Sequence, residues 1–365
     1  MPLTLRAIFA KQTPLAPRTG CTAAESGLTA VAPIAIQVGG TRANPCIMQD
    51  EIGMLKFLLY YVTFHTLGRL PLPFLYALMG STAWLAYHLA PGARRNIDDN
   101  LRHVMPQASE DERRSAAKQV LRNVALYYAD VARLPRMDLR EFFERRFVFQ
   151  GLDEYLRPAI AEGKGVIILG AHCGNPELAV QSLAHLGIPV FALTEPVHPR
   201  VSKLMDEFRA SKGHTFGPVN RGNVKRVFQT LKRGGVVALM GDRDIEGPKE
   251  ALPFFGEPTL MPTGPIDVGL RTGAVILPSF SARKSKYVIE AWVEEPLALK
   301  RTGDLQADVR AAMLEYIGRL ERRLRADPGQ WAVLERIWDG EEEVGGQKSK
   351  VRKESEVAAG ERSDG

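Results

Sequence analysis

The segment GVIILGAHCGNPELA places two residues capable of chemistry, His172 and Glu177, directly after an apolar run. The apolar run predicts a strand that ends at Ala171, while Asn175 is a good helix N-cap and Pro176 suits the first position of a helix. His172 is therefore predicted to lie in the tight loop at the carboxyl end of a strand. Glu177 is predicted to lie in the first turn of the helix that follows.

This predicted loop geometry suits general-base chemistry. On one helix of ~3.6 residues per turn the two side chains would stand about 140° apart, whereas the loop lets the Glu177 carboxylate fold back to one nitrogen of His172. A carboxylate behind a histidine fixes its tautomer and stabilises the imidazolium. The other nitrogen then faces the cleft, where base catalysis on a hydroxyl contributes ~10²–10⁴ in rate. Free N–H groups at the helix amino end are expected to stabilise developing negative charge.

Two other kinds of active site fit parts of this sequence. Cys173 adjoins His172, as in a Cys–His hydrolase, but neighbouring side chains normally diverge, so we interpret Cys173 as a packing residue. Asp242 and Asp244 resemble the DxD of a metal-dependent phosphatase or glycosyltransferase, but no nucleotide-binding fingerprint accompanies them. No metal site is predicted, because the remaining histidines show no metal-ligand spacing: His65, His88, His103, His185, His198 and His214.

The elements that must position these residues form an α/β pattern from about Val148 onward. We predict a central, mostly parallel sheet flanked by helices. The predicted strands are Gly165–Ala171, Ile188–Thr194, Val236–Gly241, Ala274–Ser279 and Tyr287–Val293, and the predicted helices include Pro176–Leu186, Val201–Ser211, Val224–Arg233 and Leu305–Ala326. His172, Glu195 and Asp242 all fall just beyond carboxyl ends of predicted strands, where open α/β sheets place their sites.

The amino-terminal part of the chain divides into two segments. Residues 1–53 read as a disordered extension, and residues 54–92 as an apolar helical anchor associated with a membrane. Crossing a bilayer takes ~20 apolar residues, and Arg69, Pro71 and Pro73 interrupt the run, so a monotopic hairpin or a short anchor fits better than a span. A buried helical pair is the alternative. An α/β domain at 93–339 and a disordered, charged tail at 340–365 complete the predicted organisation.

Composition limits the possible partners. The chain has a formal net charge of +6 and three scattered cysteines, which favours anionic partners and a reducing compartment. Arg94, Arg95 and Arg102 follow the apolar segment and suit anionic lipid headgroups. Nucleic acid is not predicted as a partner, because no basic stripe with interleaved aromatic residues is present.

The His-x4-Glu arrangement after an apolar strand resembles the signature of the glycerolipid acyltransferase superfamily. The wider pattern is similar to its bacterial lipid A biosynthesis branch, the lauroyl and myristoyl acyltransferases, and to the related phosphatidylinositol mannoside acyltransferases. The resemblance extends from about Met54 to Trp338 and includes the segments NIDDNLRHVMP, GDRD, LPFFGEPTLMPTGPIDVGLRTGAVILP and PGQWAVLERIW. The Asp-Arg-Asp of GDRD is more similar to the mannoside branch than to the lipid A branch.

The resemblance implies further site residues. His172 and Glu177 are the implied catalytic pair. Arg209 matches an arginine placed to meet an anionic headgroup or donor phosphate, for which a guanidinium is suited. The acidic residues implied to support substrate binding are Glu195, Asp242, Asp244, Glu246 and Glu250.

The resemblance also implies an activity. A fatty acyl group would move from a thioester, on acyl-carrier protein or coenzyme A, to a hydroxyl of a membrane lipid or glycolipid, such as a lipid A precursor or a phosphatidylinositol mannoside. No cofactor is expected, and the location is the cytoplasmic face of the inner membrane. The loop Leu252–Pro265, too proline-rich for regular structure, would line an acyl-chain tunnel or pack over the core. The alternative function is a non-catalytic lipid-binding scaffold with a degenerate site.

Overall fold

The computed structural model describes residues 58, 61–62, 64–195, 199–243 and 247–338. The segments predicted to be disordered, 1–53 and 340–365, lie outside the described residues.

A seven-stranded sheet forms the centre of the fold, as the alternating pattern predicts. The strands, in chain order, are β1 Phe147–Gln150, β2 Val166–Gly170, β3 Val190–Thr194, β4 Thr215–Pro218, β5 Val236–Met240, β6 Lys249–Phe254, β7 Glu257–Pro262, β8 Val275–Arg283 and β9 Ile289–Val293. The central sheet has the strand order β1-β9-β8-β2-β5-β3-β4, and β6 and β7 form a separate two-stranded sheet. All neighbouring strands of the central sheet are parallel except the antiparallel pair β8 and β9. The α/β class with a mostly parallel central sheet is confirmed.

Helices cover the sheet and build a separate layer from the amino-terminal residues. They are α1 Leu72–Leu89, α2 Pro91–Val104, α3 Glu110–Arg133, α4 Leu139–Arg146, α5 Arg157–Ala161, α6 Pro176–His185, α7 Pro199–Ala210, α8 Arg221–Lys232, α9 Gly264–Thr272 and α10 Leu305–Ala326. Short 3₁₀ helices at Leu134–Arg136 and Pro328–Gln330 and a π-helical turn at Leu152–Leu156 complete the elements. The five predicted strands and four predicted helices are all present, with ends shifted by a few residues.

The segment predicted to lack regular structure, Leu252–Pro265, is instead a β-hairpin with a helix after it. β6 and β7 pair antiparallel around a two-residue turn, in which Phe255 and Gly256 have φ of 51° and 84°. The prolines are tolerated because a two-stranded ribbon leaves the outer side of each strand without a ladder partner. The prediction of an irregular loop is therefore wrong.

The hairpin packs its apolar face inward. Leu252, Phe254 and Met261 are fully buried in the main core cluster, which also contains side chains of the central sheet and of α10. From the sequence, this segment is expected either to line an acyl-chain tunnel or to pack over the core. These three side chains pack in the core.

Helix α1 occupies the second half of the predicted apolar anchor and has two unlike faces. Leu75 and Tyr76 are buried against α3, so part of the segment 54–92 belongs to the folded body. The opposite face exposes large apolar side chains: Phe74, Leu78, Trp84, Leu85 and Leu89. Among the described residues, no helix combines the length and the apolar character needed to cross a bilayer. The apolar helical anchor expected over residues 54–92 stays a prediction.

Residues 327–338, here called the C-terminal strap, run back across the helical layer to the sheet. Asn96 and Asn100 of α2 donate to strap carbonyl oxygens at 3.2 and 2.7 Å. Asn123 of α3 donates to a third strap carbonyl at 2.9 Å. The strap is therefore fixed to the helical layer by side-chain amides that donate to its backbone carbonyl groups.

Candidate active site

His172 and Asp242 meet where two neighbouring strands end. His172 follows β2, Asp242 follows β5, and the register sets Gly170 of β2 opposite Met240 of β5. Nδ1 of His172 lies 2.8 Å from Oδ1 of Asp242, and the backbone N–H of His172 donates to Oδ2 at 2.9 Å. The indole Nε1–H of Trp331, from the C-terminal strap, donates to the same Oδ2 at 3.0 Å.

The Asp242 carboxyl is almost fully buried, yet it is held in the ionised form. Burial alone would raise its pKa, but the neighbouring His172 ring and the hydrogen bonds from His172 and Trp331 outweigh burial and lower the pKa below 3.8. Because the ionised carboxylate only accepts, Nδ1 of His172 must carry the proton in this bond. The unprotonated Nε2 of a neutral ring is then the basic nitrogen.

The loop that carries His172 is held from both sides. Gly174 has a φ of 63°, and a Cβ at this position would lie 2.5 Å from the carbonyl oxygen of Ser281, so no larger residue fits. The strap closes the other side, because Ala332 donates its N–H to the His172 carbonyl at 2.7 Å and Gly174 donates to the Gln330 carbonyl at 2.8 Å. The ring of His172 therefore projects from a fixed backbone.

The backbone amides of residues 172–175 all donate to protein atoms. Their acceptors are the carboxylate of Asp242, the carbonyls of Ala171 and Gln330, and the hydroxyl of Ser281. These four amides are therefore not available to a developing negative charge, and the expectation of free N–H groups at the helix amino end stays a prediction. The tight turn itself consumes the four amides, because each buried amide requires an acceptor.

Glu177 does not contact His172 in the described structure. Its Oε2 lies 2.9 Å from Nε of Arg209, and its Oε1 accepts from Gln181 at 2.8 Å. The side chain points along α6 toward α7, whereas Asp242 reaches the histidine from the adjacent strand end. In the described structure the carboxylate that bonds the His172 ring is Asp242 and not Glu177, so the prediction of Glu177 as the hydrogen-bond partner of His172 is wrong.

Arg209 is engaged inside the protein. Besides the ion pair with Glu177, its Nη2 donates to the hydroxyl of Tyr127 at 2.8 Å, and Nη1 lies 3.7 Å from Asp206. Burial alone would lower the pKa of Arg209, but Tyr127 and Glu177 raise it, so the guanidinium stays charged. The contact with a substrate anion implied by the family resemblance stays a prediction, and these internal partners argue against it.

Glu195 is brought near the site through a residue that the sequence reasoning missed, Arg243. The guanidinium of Arg243 forms ion pairs with Glu195, at the end of β3, and with Glu335 of the strap. Arg243 directly follows Asp242, and the signal that could have identified it was the arginine inside the GDRD segment. Trp331 was also missed, although the PGQW segment that contains it was recognised as part of the pattern.

Of the other acidic residues implied by the resemblance, Glu250 is the one that lies among the described residues. Glu250 lies on β6 and forms an ion pair with Arg310 of α10. Asp244 and Glu246 lie outside the described residues. Within the described ranges, no three His, Cys, Asp or Glu side chains are grouped as a metal site would require.

Cys173 is buried beside the histidine and packs as predicted. Its backbone forms an isolated β-bridge with Trp331, and its side chain belongs to the main core cluster. Burial, followed by the charge of Asp242, raises the pKa of the Cys173 thiol well above its usual range. A neutral thiol in an apolar setting is not an activated nucleophile, so the packing interpretation is confirmed.

Comparison with known proteins adds a family match and four relatives, namely three phosphatidylinositol mannoside acyltransferases, two of them from Mycobacterium tuberculosis, and one lipid A biosynthesis lauroyltransferase. The family model described as "Bacterial lipid A biosynthesis acyltransferase" matches residues 49–339. A phosphatidylinositol mannoside acyltransferase of Mycobacterium tuberculosis is 28% identical over 263 residues, covering 69% of this chain and 79% of the relative. Its counterpart in Mycolicibacterium smegmatis is 24% identical, with 69% and 82% covered. A lipid A biosynthesis lauroyltransferase of Escherichia coli is 24% identical, with 62% and 75% covered.

Proposed function

The chain belongs to the bacterial lipid A biosynthesis acyltransferase family, and from that membership we propose that it moves a fatty acyl group from an acyl thioester to a hydroxyl of a membrane glycolipid. Family and relatives alike are acyltransferases. The thioester donor is acyl-carrier protein or coenzyme A carrying the fatty acid. His172 acts as the general base, with Asp242 rather than Glu177 as the carboxylate behind it.

The observation that carries this proposal is the His172–Asp242 pair beyond the carboxyl ends of the central strands β2 and β5. Asp242 occupies Nδ1, and Nε2 has no hydrogen-bond partner among the described residues. The side chain of His172 is about one-third exposed (31%), whereas that of Asp242 is not exposed. A buried carboxylate behind an accessible imidazole is the arrangement that a base for an alcohol requires.

The proposed reaction is one displacement. Nε2 of His172 takes the proton of the acceptor hydroxyl while the hydroxyl oxygen attacks the thioester carbonyl carbon. The carbonyl oxygen carries the negative charge of the tetrahedral intermediate. Collapse of the intermediate breaks the carbon–sulfur bond, and the imidazolium returns its proton to the departing sulfur. An ester and a free thiol result, no residue is acylated, and Asp242 stabilises the imidazolium while it exists.

The acceptor class follows from the names of the relatives. Three of them act on phosphatidylinositol mannosides and one acts in lipid A biosynthesis, and both acceptors are glycolipids with acyl chains. We extend only the shared chemistry to this chain, namely a sugar hydroxyl on a lipid held in a bilayer.

Such an acceptor requires the enzyme to reach the membrane surface, and we propose α1 and α2 as the docking element. The exposed apolar face of α1 includes Phe74, Trp84 and Leu89, at 58%, 63% and 60% exposure. Arg94 and Arg95 follow at the start of α2, where they would meet anionic headgroups. The cytoplasmic face of the inner membrane is the proposed location, because the thioester donor is made in the cytoplasm.

Transfer from labelled thioesters tests the proposal directly. The full chain in detergent is incubated with fatty acyl groups on acyl-carrier protein or on coenzyme A, together with a lipid extract that contains phosphatidylinositol mannosides or lipid A precursors. We expect label in one glycolipid class with the natural chain and none with His172→Ala. Binding of glycolipid without transfer from either donor would favour a lipid-binding scaffold instead.

A further inference from the structure

We propose that Trp331 is a positioning residue: its indole N–H fixes the rotation of the Asp242 carboxylate and thereby sets the orientation and proton affinity of His172. The inference deepens the proposed function and rests on it only in its kinetic part. It also gives a physical role to the PGQW segment, which the reaction itself does not explain.

Three donors converge on the two oxygens of Asp242. Oδ1 receives Nδ1–H of His172 at 2.8 Å, while Oδ2 receives the backbone N–H of His172 at 2.9 Å and the indole N–H of Trp331 at 3.0 Å. The torsion that turns an aspartate carboxylate is broad and roughly two-fold, so packing alone defines it poorly. Two donors on Oδ2 keep that oxygen away from the ring and leave Oδ1 to the ring.

The indole is itself held in place by an aromatic cluster. Trp331 is 3% exposed and packs edge-on against Phe254 at 5.8 Å and Trp338 at 6.0 Å between ring centroids. Trp338 stacks on Phe254 at 5.1 Å and on His103 of α2 at 4.3 Å. A donor anchored by buried rings cannot turn away from the carboxylate without disturbing several packed side chains.

The C-terminal strap reinforces this arrangement on the other side of the same strand end. Glu335 of the strap binds Arg243, the residue that follows Asp242. Asn100 of α2 ties the strap at two points, since it donates to the Glu335 carbonyl at 2.7 Å and accepts from the N–H of Ile337 at 3.0 Å. The strap thus holds Asp242 and Arg243, two consecutive residues in the loop that follows β5.

Trp331→Phe tests the role because it keeps an aromatic ring in the cluster and removes the N–H donor; the buried volume lost with the indole is matched by the control below. Without that bond, more negative charge faces the imidazole, and the protonated ring is favoured. In protein labelled with ¹⁵N-histidine, the titration midpoint of His172 should lie at higher pH in this variant than in the natural chain. The midpoint needs no substrate, so it is measured whether or not the proposed transfer occurs.

Kinetics provide the second readout. We expect kcat for acyl transfer to fall about tenfold with KM nearly unchanged, which is the size of effect expected from one lost hydrogen bond to a charged group. The acid limb of the pH–rate profile should move in the same direction as the ring titration. In an Asp242→Asn background, Trp331→Phe should cost little more, because both changes act through the same carboxylate.

Trp338→Phe is the matched control. It removes an indole from the same cluster, but its N–H donates to the Phe254 carbonyl at 3.3 Å and not to Asp242. The His172 titration should stay in place in this variant, whatever it does to stability. Equal shifts in the two tryptophan variants would mean that packing alone is responsible and would overturn the positioning role.

A further measurement covers the case in which Trp331→Phe does not fold. The indole N–H resonance of Trp331 in the natural chain should shift with the same pH midpoint as the His172 ring, and Asp242→Asn should abolish that dependence. An indole resonance insensitive to His172 ionisation would refute the inference. Absence of acyl transfer by the natural chain would instead refute the proposed function and leave this coupling measurable.

Discussion

Oδ1 of Asp242 lies 2.8 Å from Nδ1 of His172, and Oδ2 of the same carboxylate accepts the backbone N–H of that histidine at 2.9 Å. Both bonds connect the ends of the adjacent parallel strands β2 and β5. The geometry of the pair is therefore set by strand register rather than by the conformation of a single loop.

Removing either member of the pair should stop the chemistry and spare the fold. His172→Ala should reduce acyl transfer to background, and Asp242→Asn should lower kcat by about 10²–10⁴, the range associated with a positioned base. Label transfer measured with circular dichroism as a check on folding tests both variants. Cys173→Ala is the control and should stay active, since its buried thiol takes no part. Near-normal rates for His172→Ala would exclude this mechanism.

The low pKa of Asp242 predicts a particular dependence of stability on pH. Its folded-state pKa lies below the ordinary 3.8, so the stabilisation is present above that value and is lost as pH falls through the lower folded value. The difference in Tm between the natural chain and Asp242→Asn should be largest above about pH 5, where an unfolded aspartate is ionised, and should narrow below it. A Tm difference between the two proteins that widened on acidification would contradict the low pKa of Asp242 in the folded state.

Glu177→Gln should act mainly on stability. In the natural chain the side chains of Arg209 and Glu177 are 17% and 6% exposed, so the ion pair is largely buried. The substitution would leave the charge of Arg209 buried without this partner, and breaking such a pair costs about 3–5 kcal/mol in stability. Chemical unfolding of the full chain should show this loss, and adding Arg209→Met should recover part of it.

Glu110→Gln offers the matched comparison, because it breaks a solvent-exposed pair with Arg114, and such exposed pairs contribute little to stability. A Glu177→Gln protein with natural stability, together with a displaced pH–rate profile, would return Glu177 to the role of partner to His172.

The exposed face of α1 should hold the enzyme on lipid vesicles. Leu85→Ser with Leu89→Ser should make binding weaker and salt-sensitive, because the charge contribution of Arg94 and Arg95, roughly 1 kcal/mol each, would then dominate. Flotation with anionic and neutral vesicles measures this.

Leu305→Ser with Leu314→Ser on α10 is the control, since these leucines are also exposed but lie on a different helix. Should the natural chain leave anionic vesicles in high salt alone, the apolar face of α1 is not the docking surface.

Much of the site could be predicted from the sequence because local signals determine strand ends. The apolar run before His172 and the run before Asp242 both end within a residue or two of the predicted positions, so both residues were expected at one edge of the sheet. The choice between Asp242 and Glu177 as partner depends on the strand order, in which β5 lies beside β2. Strand order is a non-local property that spacing along the chain does not contain.

The hairpin β6–β7 and the C-terminal strap illustrate the same limit. Pro253 and Pro258 disfavour a strand by local propensity, and only packing against the core overrides that preference. Trp331 acquires its role from contacts with Asp242, a residue far away in sequence. A motif can therefore be recognised from its letters while the reason for it is visible only in three dimensions.

The position of the C-terminal strap has a consequence for how the enzyme is made. Chains emerge from the ribosome from the amino end, and α1, the proposed docking helix, is synthesised long before residues 327–338. Trp331 can reach Asp242 only after every strand of the sheet has been translated, so a nascent chain has the proposed docking helix early and gains the indole donor to Asp242 last. A chain that ended before residue 327 would keep the proposed docking helix and would lack the bond from Trp331 to Asp242.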